Sequence, residues 1–266
     1  MTKADPVARV AEVRRALVRD GPPWTRNDEL DFEAVTMPER DCDLLRDLFI
    51  AEQVETVVEV GLAYGSSALA IGEALLTVAP PRPRHVIVDA FQDTIWSNVG
   101  WDLLRSAGLD AIATLITAPS SLALSNVVSD GLTADAAFVD GSHRFHEVFV
   151  DLYFLRKIVR AGGLVVLDDH WAPSVRAAVR YYERNLGWTP VPGAFDGGTV
   201  RAIGDAPAGA FDGGTVRATG DAPGRAFGDT PAAELVSRCV AFRLPDAAPE
   251  PDFLDFKPFC GGRAHG

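Results

Sequence analysis

The alternation of short apolar runs with helical segments between residues 56 and 186 constrains the fold of this chain more than any other feature. The apolar runs, which are rich in β-branched residues and favour strands, are residues 56–60, 86–89, 111–116, 136–139 and 164–167. The segments with helical spacing are residues 66–78, 97–107, 122–129, 147–160 and 174–186. Strands that are apolar on both faces and separated by helices belong to a parallel sheet that is covered on both sides. The sequence therefore predicts an α/β fold: a Rossmann-like, doubly wound, mainly parallel seven-stranded sheet with helices on both faces.

The two ends of the chain add a closing strand pair and a helical segment to this prediction. Residues 188–191 and 235–242 are expected to form a closing antiparallel pair. Near the N-terminus, Val10, Leu17 and Val18 have near-helical spacing before Gly21 ends the helix, and a second helix begins at Pro38. We therefore expect residues 1–37 to form an N-terminal helical lid or packing segment and residues 38–266 to form the main domain.

A tandem duplication lies between the last two predicted strands. Residues 193–208 recur as residues 209–224, with differences only at Ile203/Thr219 and Ala208/Gly224. A 16-residue unit rich in Gly, Asp and Pro has too few apolar groups to build the core of a repeat protein. The sequence therefore predicts an expanded surface loop, inserted at residues 193–228. Calcium binding by the Asp-Gly-Gly units is an alternative, although the surrounding acidic ligands of such loops are missing.

Charge and cysteine content limit the partners and the compartment. The net charge of −12 and the isoelectric point near 4.8 argue against nucleic acid or an anionic membrane as a partner, and leave a small-molecule substrate and a homo-oligomer open. No apolar run approaches the roughly 18 residues that span a bilayer, and charged side chains interrupt residues 9–19 where a signal peptide is apolar. Three widely spaced cysteines suggest neither a disulfide framework nor a zinc cluster. We expect a cytoplasmic protein.

A glycine-containing turn joins the first predicted strand to the following helix. Gly61 and Gly65 permit backbone angles closed to other residues and let the chain approach a ligand without a Cβ in the way. A dinucleotide fingerprint requires a glycine where this chain has Ala63, because the pyrophosphate lies against that position. Acidic residues end this strand and the next, at Glu59 and Asp89. The turn therefore indicates a nucleoside ligand that has no pyrophosphate.

Four ordered motifs carry a resemblance to a known family. They are E-V-G-x-x-x-G-x-S from residue 59, V-D-A-F-Q from residue 88, F-V-D-G-S-H from residue 138 and G-G-L-V-V-L-D-D-H-W from residue 162. Over residues 38–186 the chain resembles class I S-adenosylmethionine (SAM)-dependent O-methyltransferases of methyltransferase family 24. That group is related to the catechol, caffeoyl-CoA and macrolide-sugar O-methyltransferases. The resemblance implies SAM as the cofactor and methyl transfer to an oxygen as the reaction.

The cofactor-binding residues follow from this resemblance and from the chemistry of SAM, whose methionyl portion carries an ammonium and a carboxylate. Glu59 is expected to hold the ammonium end, and the backbone N–H groups of Gly65 and Ser66, beside Gly61, to receive the carboxylate. Asp89 is placed to accept hydrogen bonds from the ribose hydroxyls. The resemblance further implies Ser120 at the adenine, and Asp140 also lies at the cofactor side of the sheet.

A divalent ion, usually Mg²⁺, is held in these relatives by an Asp after the fourth strand and an acidic pair after the fifth. The matching positions are Asp140, Asp168 and Asp169. Three carboxylates at the ends of neighbouring strands would repel one another and raise each other's pKa unless a cation neutralised them, and hard oxygen ligands suit Mg²⁺. The alternative is that these aspartates only cap the helices that follow them.

A histidine near the metal is expected to act as the general base. His143 is the first candidate, because the macrolide-sugar enzymes place a histidine there, and His170 is the second. His146 is expected to be structural, and Phe91, Trp96 and Trp171 to wall the pocket. The Asp pair in place of Asp-Asn favours a sugar or another hydroxylated natural product over a catechol.

Two other functions remain open from the sequence. One is an NAD-dependent Rossmann oxidoreductase, against which Ala63 and the later aspartates count. The other is a non-catalytic methyltransferase-like binding module that contacts a partner through the duplicated loop.

Overall fold

The computed structural model describes residues 5–23, 32–79, 81–204, 211–212, 215–216, 234–247 and 249–259. Its helices are α1 Pro6–Asp20, α2 Phe32–Val35, α3 Glu39–Ala51, α4 Ser66–Val78, α5 Val99–Ala107, α6 Ser120–Ser129, α7 Phe145–Ile158 and α8 Pro173–Leu186. Its strands are β1 Thr56–Val60, β2 Arg84–Val88, β3 Ala113–Ile116, β4 Ala134–Val139, β5 Val159–Leu167, β6 Thr189–Pro190, β7 Val200–Ala202, β8 Phe211–Asp212, β9 Thr215–Val216, β10 Leu235–Ser237 and β11 Val240–Arg243. Within these ranges, no helix combines the length and the apolar character needed to cross a bilayer.

Seven of the strands form one sheet, in the order β3-β2-β1-β4-β5-β11-β6. The first five are parallel, and β11 runs antiparallel to both β5 and β6. One apolar core packs α6, α7 and α8 on the face that carries Val58 and Val60, and a second packs α3 and α4 on the face that carries Val57. The predicted Rossmann-like sheet is confirmed. Because the chain leaves β1 towards β2 on one side and reaches β4 on the other, a crevice opens at the carboxyl ends of β1 and β4.

The predicted element bounds agree closely with the structure around the first strand and drift elsewhere. The first strand and the helix after it have the predicted ends. The largest difference is at β5, which starts at Val159, five residues before its predicted start. A glycine pair that reads as a turn lies inside this strand: Gly162 has a φ of +67°, and a Cβ on Gly163 would lie 2.6 Å from the carbonyl oxygen of Asp135. The strand continues through the pair because the pairing of β4 with β5 shifts register there.

The N-terminal helix packs on the body of the domain. Val10 and Leu17 of α1 are buried against α4 and α5, whereas Val18 is half exposed. The buried side chain of Arg14 joins α1 to α3 and α4, because it pairs with Asp43 of α3 at 2.8 Å and with Glu73 of α4. The short helix α2 lies elsewhere: its Ala34 and Val35 line the cavity described below.

The closing antiparallel pair is present, but the predicted strand over residues 235–242 is broken. Its first part, β10, pairs with β7 in a separate two-stranded sheet, and its second part, β11, joins the main sheet. Arg238 lies at the break, where its N–H donates to the carbonyl of Thr199 and its carbonyl accepts from the N–H of His170. The break therefore turns the Arg238 side chain towards the edge of the main sheet.

The first copy of the tandem repeat is part of the fold, which corrects the expectation of a simple surface loop. Phe195 is buried in the core beside α3, and the backbone N–H of Thr199 donates to Asp41 at 2.9 Å. Residues 200–202 form β7. In the second copy, β8 and β9 pair as a short antiparallel ladder, and residues 205–210, 213–214 and 217–233 lie outside the described residues. The role of the duplication stays a prediction.

Candidate functional site

A cavity of about 720 Å³ opens at the carboxyl edge of the sheet, at the crevice between β1 and β4. The ends of β1, β2 and β4 supply Gly61, Asp89 and Asp140 to its wall. The loop after β4 supplies His143, and the loop after β5 supplies Asp169. Six of the residues expected at the cofactor or at the reaction, these five and Ser120, therefore share one cavity. We take this cavity as the candidate active site.

The glycine turn brings two backbone segments together rather than only clearing space for a ligand. Gly61 has a φ of +93°, and a Cβ there would lie 2.1 Å from the carbonyl oxygen of Asp140. Gly65 begins α4 in the left-handed conformation, with a φ of +85°. Neither Gly65 nor Ser66 is among the residues that line the cavity. Gly61 thus permits the loop after β4 to pass directly over the turn.

Asp89 holds the turn in shape while it lines the cavity. Its Oδ2 accepts from the backbone N–H groups of Leu62 and Ala63, at 2.9 and 3.0 Å, and its Oδ1 accepts from Phe91 at 2.7 Å. Gln92, which is fully buried, donates from Nε2 to the carbonyl of Ala63 at 2.7 Å. The sequence predicted a ligand-binding role for Asp89 but no role for Gln92. Its only signal was its place in the V-D-A-F-Q motif.

Glu59 does not reach the cavity, which corrects its expected role at the cofactor's ammonium. Side chains alternate between the two faces of a strand, and Glu59 points to the face covered by α4, away from Val60. It is fully buried, where it accepts from Ser67 Oγ at 2.6 Å and lies 2.8 Å from His85 Nε2. Glu59 therefore anchors the start of α4 to the sheet.

Asp168 is paired with an arginine that the sequence analysis did not consider. Arg238 donates from Nε to Asp168 Oδ1 at 2.8 Å and from Nη2 to Oδ2 at 2.7 Å. Both side chains are buried, and Asp168 does not line the cavity, whereas Arg238 does. A lone Arg in a predicted apolar strand was the only sequence signal for this pair. The three aspartates that were expected to share a metal therefore differ in position: Asp168 is paired with Arg238, whereas Asp140 and Asp169 line the cavity.

The other two aspartates surround His143. Its Nε2 lies 2.7 Å from Asp169 Oδ2 and 4.0 Å from Asp140 Oδ1. Trp171 Nε1 donates to Asp169 Oδ1 at 2.6 Å, so both oxygens of Asp169 face a nitrogen. Potential ligand atoms of Asp140, His143 and Asp169 all lie within 4.8 Å of one another. These three residues form one cluster of titratable groups in the wall of the cavity.

The electrostatics of this cluster keep His143 charged. Burial alone would lower the pKa of His143, but the nearby charge of Asp169 outweighs it and raises the pKa to about 9. For Asp169, burial would raise the pKa, but the positive charge of His143 outweighs this effect and lowers the pKa. Burial and repulsion from Asp168 and Asp169 raise the pKa of Asp140 well above its usual value. His143 and Asp169 thus form an ion pair beside a carboxyl that resists ionisation.

The remaining two histidines differ from their expected roles. His170 does not line the cavity, and burial together with the charges of Arg176 and Arg180 lowers its pKa to about 4. His170 therefore lies outside the cavity in which a general base would be needed. His146, expected to be structural, lines the cavity near its mouth and is largely exposed.

A second polar group, Ser120 with Asp151, also lines the cavity. Ser120, the first residue of α6, hydrogen-bonds the carboxyl of Asp151 from α7, and both line the cavity. Asp151 is buried, and its Oδ1 has no hydrogen-bond partner. Burial, and repulsion from Glu147, raise its pKa to about 7 against the effect of Ser120. The sequence analysis missed Asp151 because nothing in a helical pattern indicates which polar residue faces a cavity. Phe91, Trp96 and Trp171 complete the wall, as predicted.

A comparison with protein families finds one match. Residues 58–170 match the model of a family described as a methyltransferase domain, methyltransferase family 24. No curated protein matches the chain significantly. The matched range contains the glycine turn, Asp89, Ser120, Asp140, His143, Asp151 and Asp169.

Solved structures show the same fold at low sequence identity. A putative O-methyltransferase from Klebsiella pneumoniae has a TM-score of 0.56 and 17% identity, over 92% of each chain. An O-methyltransferase from Bacillus cereus, solved with S-adenosylhomocysteine (SAH), has a TM-score of 0.51 and 16% identity, over 72% of this chain and 85% of that one. The O-methyltransferase of tomaymycin synthesis from Streptomyces achromogenes, solved with SAM, has a TM-score of 0.50 and 19% identity, over 71% and 83%.

Proposed function

We propose that this chain is a class I SAM-dependent methyltransferase, as the family match over residues 58–170 supports, and that it methylates a hydroxyl group of a small molecule. The observation that carries the proposal is the shared cavity: the turn held by Asp89 and the His143–Asp169 pair face the same enclosed space. A nucleoside bound at the turn and a hydroxyl beside His143 would therefore meet. Methyl transfer from a sulfonium needs mainly this alignment, because the leaving thioether is neutral.

The cofactor is assigned to the side of the cavity between the turn and α6. Asp89 is assigned to the ribose, since it lines the cavity and its Oδ1, which accepts from the N–H of Phe91, can accept a further hydrogen bond. Ser120 and Asp151 are assigned to the adenine, where the unpartnered Oδ1 of Asp151 would accept from the exocyclic amino group. With the nucleoside bound there, Asp140 and His143 would be the residues left to face the acceptor and the methyl group that SAM supplies.

The proton of the acceptor hydroxyl is assigned to His143. As the methyl moves, the S–C bond of SAM breaks and an O–C bond forms, and the hydroxyl proton must leave. Asp169 lies against Nε2 of His143, which leaves Nδ1 as the nitrogen that takes this proton. The carboxylate of Asp169 orients the ring and stabilises the imidazolium that forms.

Mg²⁺ does not fit the residues present as well as the resemblance implies. Of the three expected ligands, Asp168 accepts hydrogen bonds from Arg238 with both carboxylate oxygens. The two oxygens of Asp169 already face nitrogens of His143 and Trp171. The remaining trio includes an imidazole, whereas Mg²⁺ prefers an octahedron of oxygens. We therefore derive no step of the reaction through a metal.

The acceptor is proposed to be a sugar or another hydroxylated natural product. The enclosed cavity walled by Phe91, Trp96 and Trp171 suits a small molecule, with apolar faces for packing and few polar groups for orientation. The family match and Ala63 both argue against the NAD-dependent alternative.

The proposal is tested by ligand binding followed by methyl transfer. Calorimetry is expected to show binding of SAH and none of NAD⁺, and labelled SAM is expected to methylate members of a panel of sugars and polyhydroxylated natural products. His143→Gln should lower the rate by about 10²-fold or more, as the loss of a general base does. His170→Gln is the matched control, because that histidine lies outside the cavity. Absence of SAH binding, or equal losses in the two variants, would contradict the proposal.

A further inference from the structure

A buried arginine occupies the acidic edge of the sheet where the resemblance implies a metal. Asp140, Asp168 and Asp169 follow β4 and β5 and lie close enough for their charges to interact. Such a group of carboxylates needs a compensating positive charge. In this chain Arg238 supplies one from within the protein, bidentate on Asp168 and with Nε 3.5 Å from Asp169 Oδ1.

The fold positions Arg238 through its backbone as well as its side chain. Its N–H and carbonyl are bonded to Thr199 and His170, at 2.8 Å each. Its neighbour Cys239 donates from Sγ to Asp168 Oδ1 at 3.1 Å. The guanidinium is therefore held at the strand end from both directions. Moving it away would leave the buried carboxylate of Asp168 without its charged partner.

This arrangement competes with a divalent ion for the same carboxylates. A metal bound by Asp140, Asp168 and Asp169 would have to displace Arg238 from Asp168 and would then lie beside its positive charge. Mutual repulsion of two cations in a partly buried site makes that arrangement unfavourable. Arg238 also lines the cavity, and a guanidinium has five N–H donors in a planar fork. Among the described residues, its Nη1 has one acceptor, the carbonyl of Thr36, at a long 3.4 Å.

We propose that Arg238 replaces the divalent metal of the related enzymes, so that this chain binds and orients its acceptor through a guanidinium. The catalytic part of this inference rests on the proposed methyl transfer. The negative charge that develops on the acceptor oxygen as it becomes an alkoxide is stabilised by the fixed positive charge of Arg238. No exchangeable metal ion is needed for this.

Metal binding tests the inference without any assay of methyl transfer. Mn²⁺ is titrated into the full-length protein and followed by electron paramagnetic resonance. Wild type is expected to show no specific Mn²⁺ site, whereas Arg238→Met, which leaves the three carboxylates uncompensated, should bind Mn²⁺ at least about tenfold more tightly. Arg243→Met is the matched control, since it removes a nearby arginine, at the end of β11, that pairs with Glu52 away from the cavity. A stoichiometric Mn²⁺ site in wild type would overturn the inference.

The activity readout is kept separate from the binding readout. Methyl transfer by wild type is expected to survive EDTA and to be unchanged by added Mg²⁺. Arg238→Met should lose about 10²-fold in kcat/KM, and Arg238→Lys should retain part of the rate because it keeps the charge but not the fork. Loss of wild-type activity in EDTA, with recovery on Mg²⁺, would overturn the inference. If Arg238→Met does not fold, the wild-type Mn²⁺ titration and Arg238→Lys decide. If wild type binds neither SAH nor Mn²⁺, the proposed function is refuted, whereas the inference that Arg238 replaces the metal is not.

Discussion

Gly61 and Asp140 are in backbone contact, so close that a Cβ on the glycine would lie 2.1 Å from the aspartate's carbonyl oxygen. The contact joins the turn after β1, which is assigned to the cofactor, to the loop after β4, which carries the reactive cluster. The N–H of Asp140 also donates to the carbonyl of Val60 at 2.8 Å. In the proposed reaction, the turn assigned to the nucleoside and the loop that carries His143 are therefore held together by this one backbone contact.

Gly61→Ala is expected to damage both stability and cofactor binding. It combines a left-handed backbone angle with a direct backbone clash, and we expect a loss of at least about 3 kcal/mol in the free energy of unfolding. Gly131→Ala is the matched control, because its φ is +72° and its Cβ would meet nothing within 4 Å. That variant should lose only about 1 kcal/mol and keep its affinity for SAH. Thermal or urea unfolding measures the difference, and equal losses would show that the contact does not matter.

The pH dependence of methyl transfer should follow His143. The base must be neutral to accept a proton, and the charge of Asp169 raises the pKa of His143 to about 9. We therefore expect kcat/KM to rise with pH, with a midpoint near pH 9. In His143→Gln, the residual rate should lack this dependence. A wild-type profile that levels off near pH 6, or an unchanged profile in the variant, would contradict the assignment.

The same ion pair should make the folded protein less stable as the pH rises, whereas the rate of methyl transfer should increase. A histidine whose pKa is raised by folding stabilises the protein below its unfolded pKa, and this stabilisation is lost as the pH rises through the folded value. Wild type should therefore lose more of its thermal stability between pH 7 and pH 10 than His143→Gln does. Parallel melting curves for the two proteins across this range would argue against the pair.

Asp151 should select for the amino group of adenine. Asp151→Asn exchanges the proposed acceptor for an amide, and we expect SAH affinity to fall by about tenfold, as for a lost hydrogen bond to a charged group. Wild type should bind SAH more tightly than its inosine analogue, and the variant should lose this preference. Because the pKa of Asp151 is about 7, SAH affinity should also rise from pH 6 to pH 8 as the carboxyl ionises. An unchanged preference between the two nucleosides would refute the assignment.

The parts of the site that could be predicted are those that depend on position along a strand. Asp89, Asp140 and His143 follow strand ends, and parallel strands bring their carboxyl ends to the same edge of the sheet. Glu59 also ends a strand, but its side chain points to the other face, and an apolar strand without alternation does not reveal which face is which. Asp151 and Gln92 were missed because their neighbours in space come from other elements.

By itself, the sequence determined the order of strands and helices between residues 56 and 186, the turn at Gly61 and Gly65, and the match of residues 58–170 to a methyltransferase family. These features are local, because they follow from periodicity, from glycine and from motifs a few residues long. Only the tertiary structure decided the partners of the acidic residues. Arg238 meets Asp168 from 70 positions away in the chain, through a strand break that no local pattern announces. Whether the carboxylates at this edge face a metal or an arginine depends on packing between distant segments.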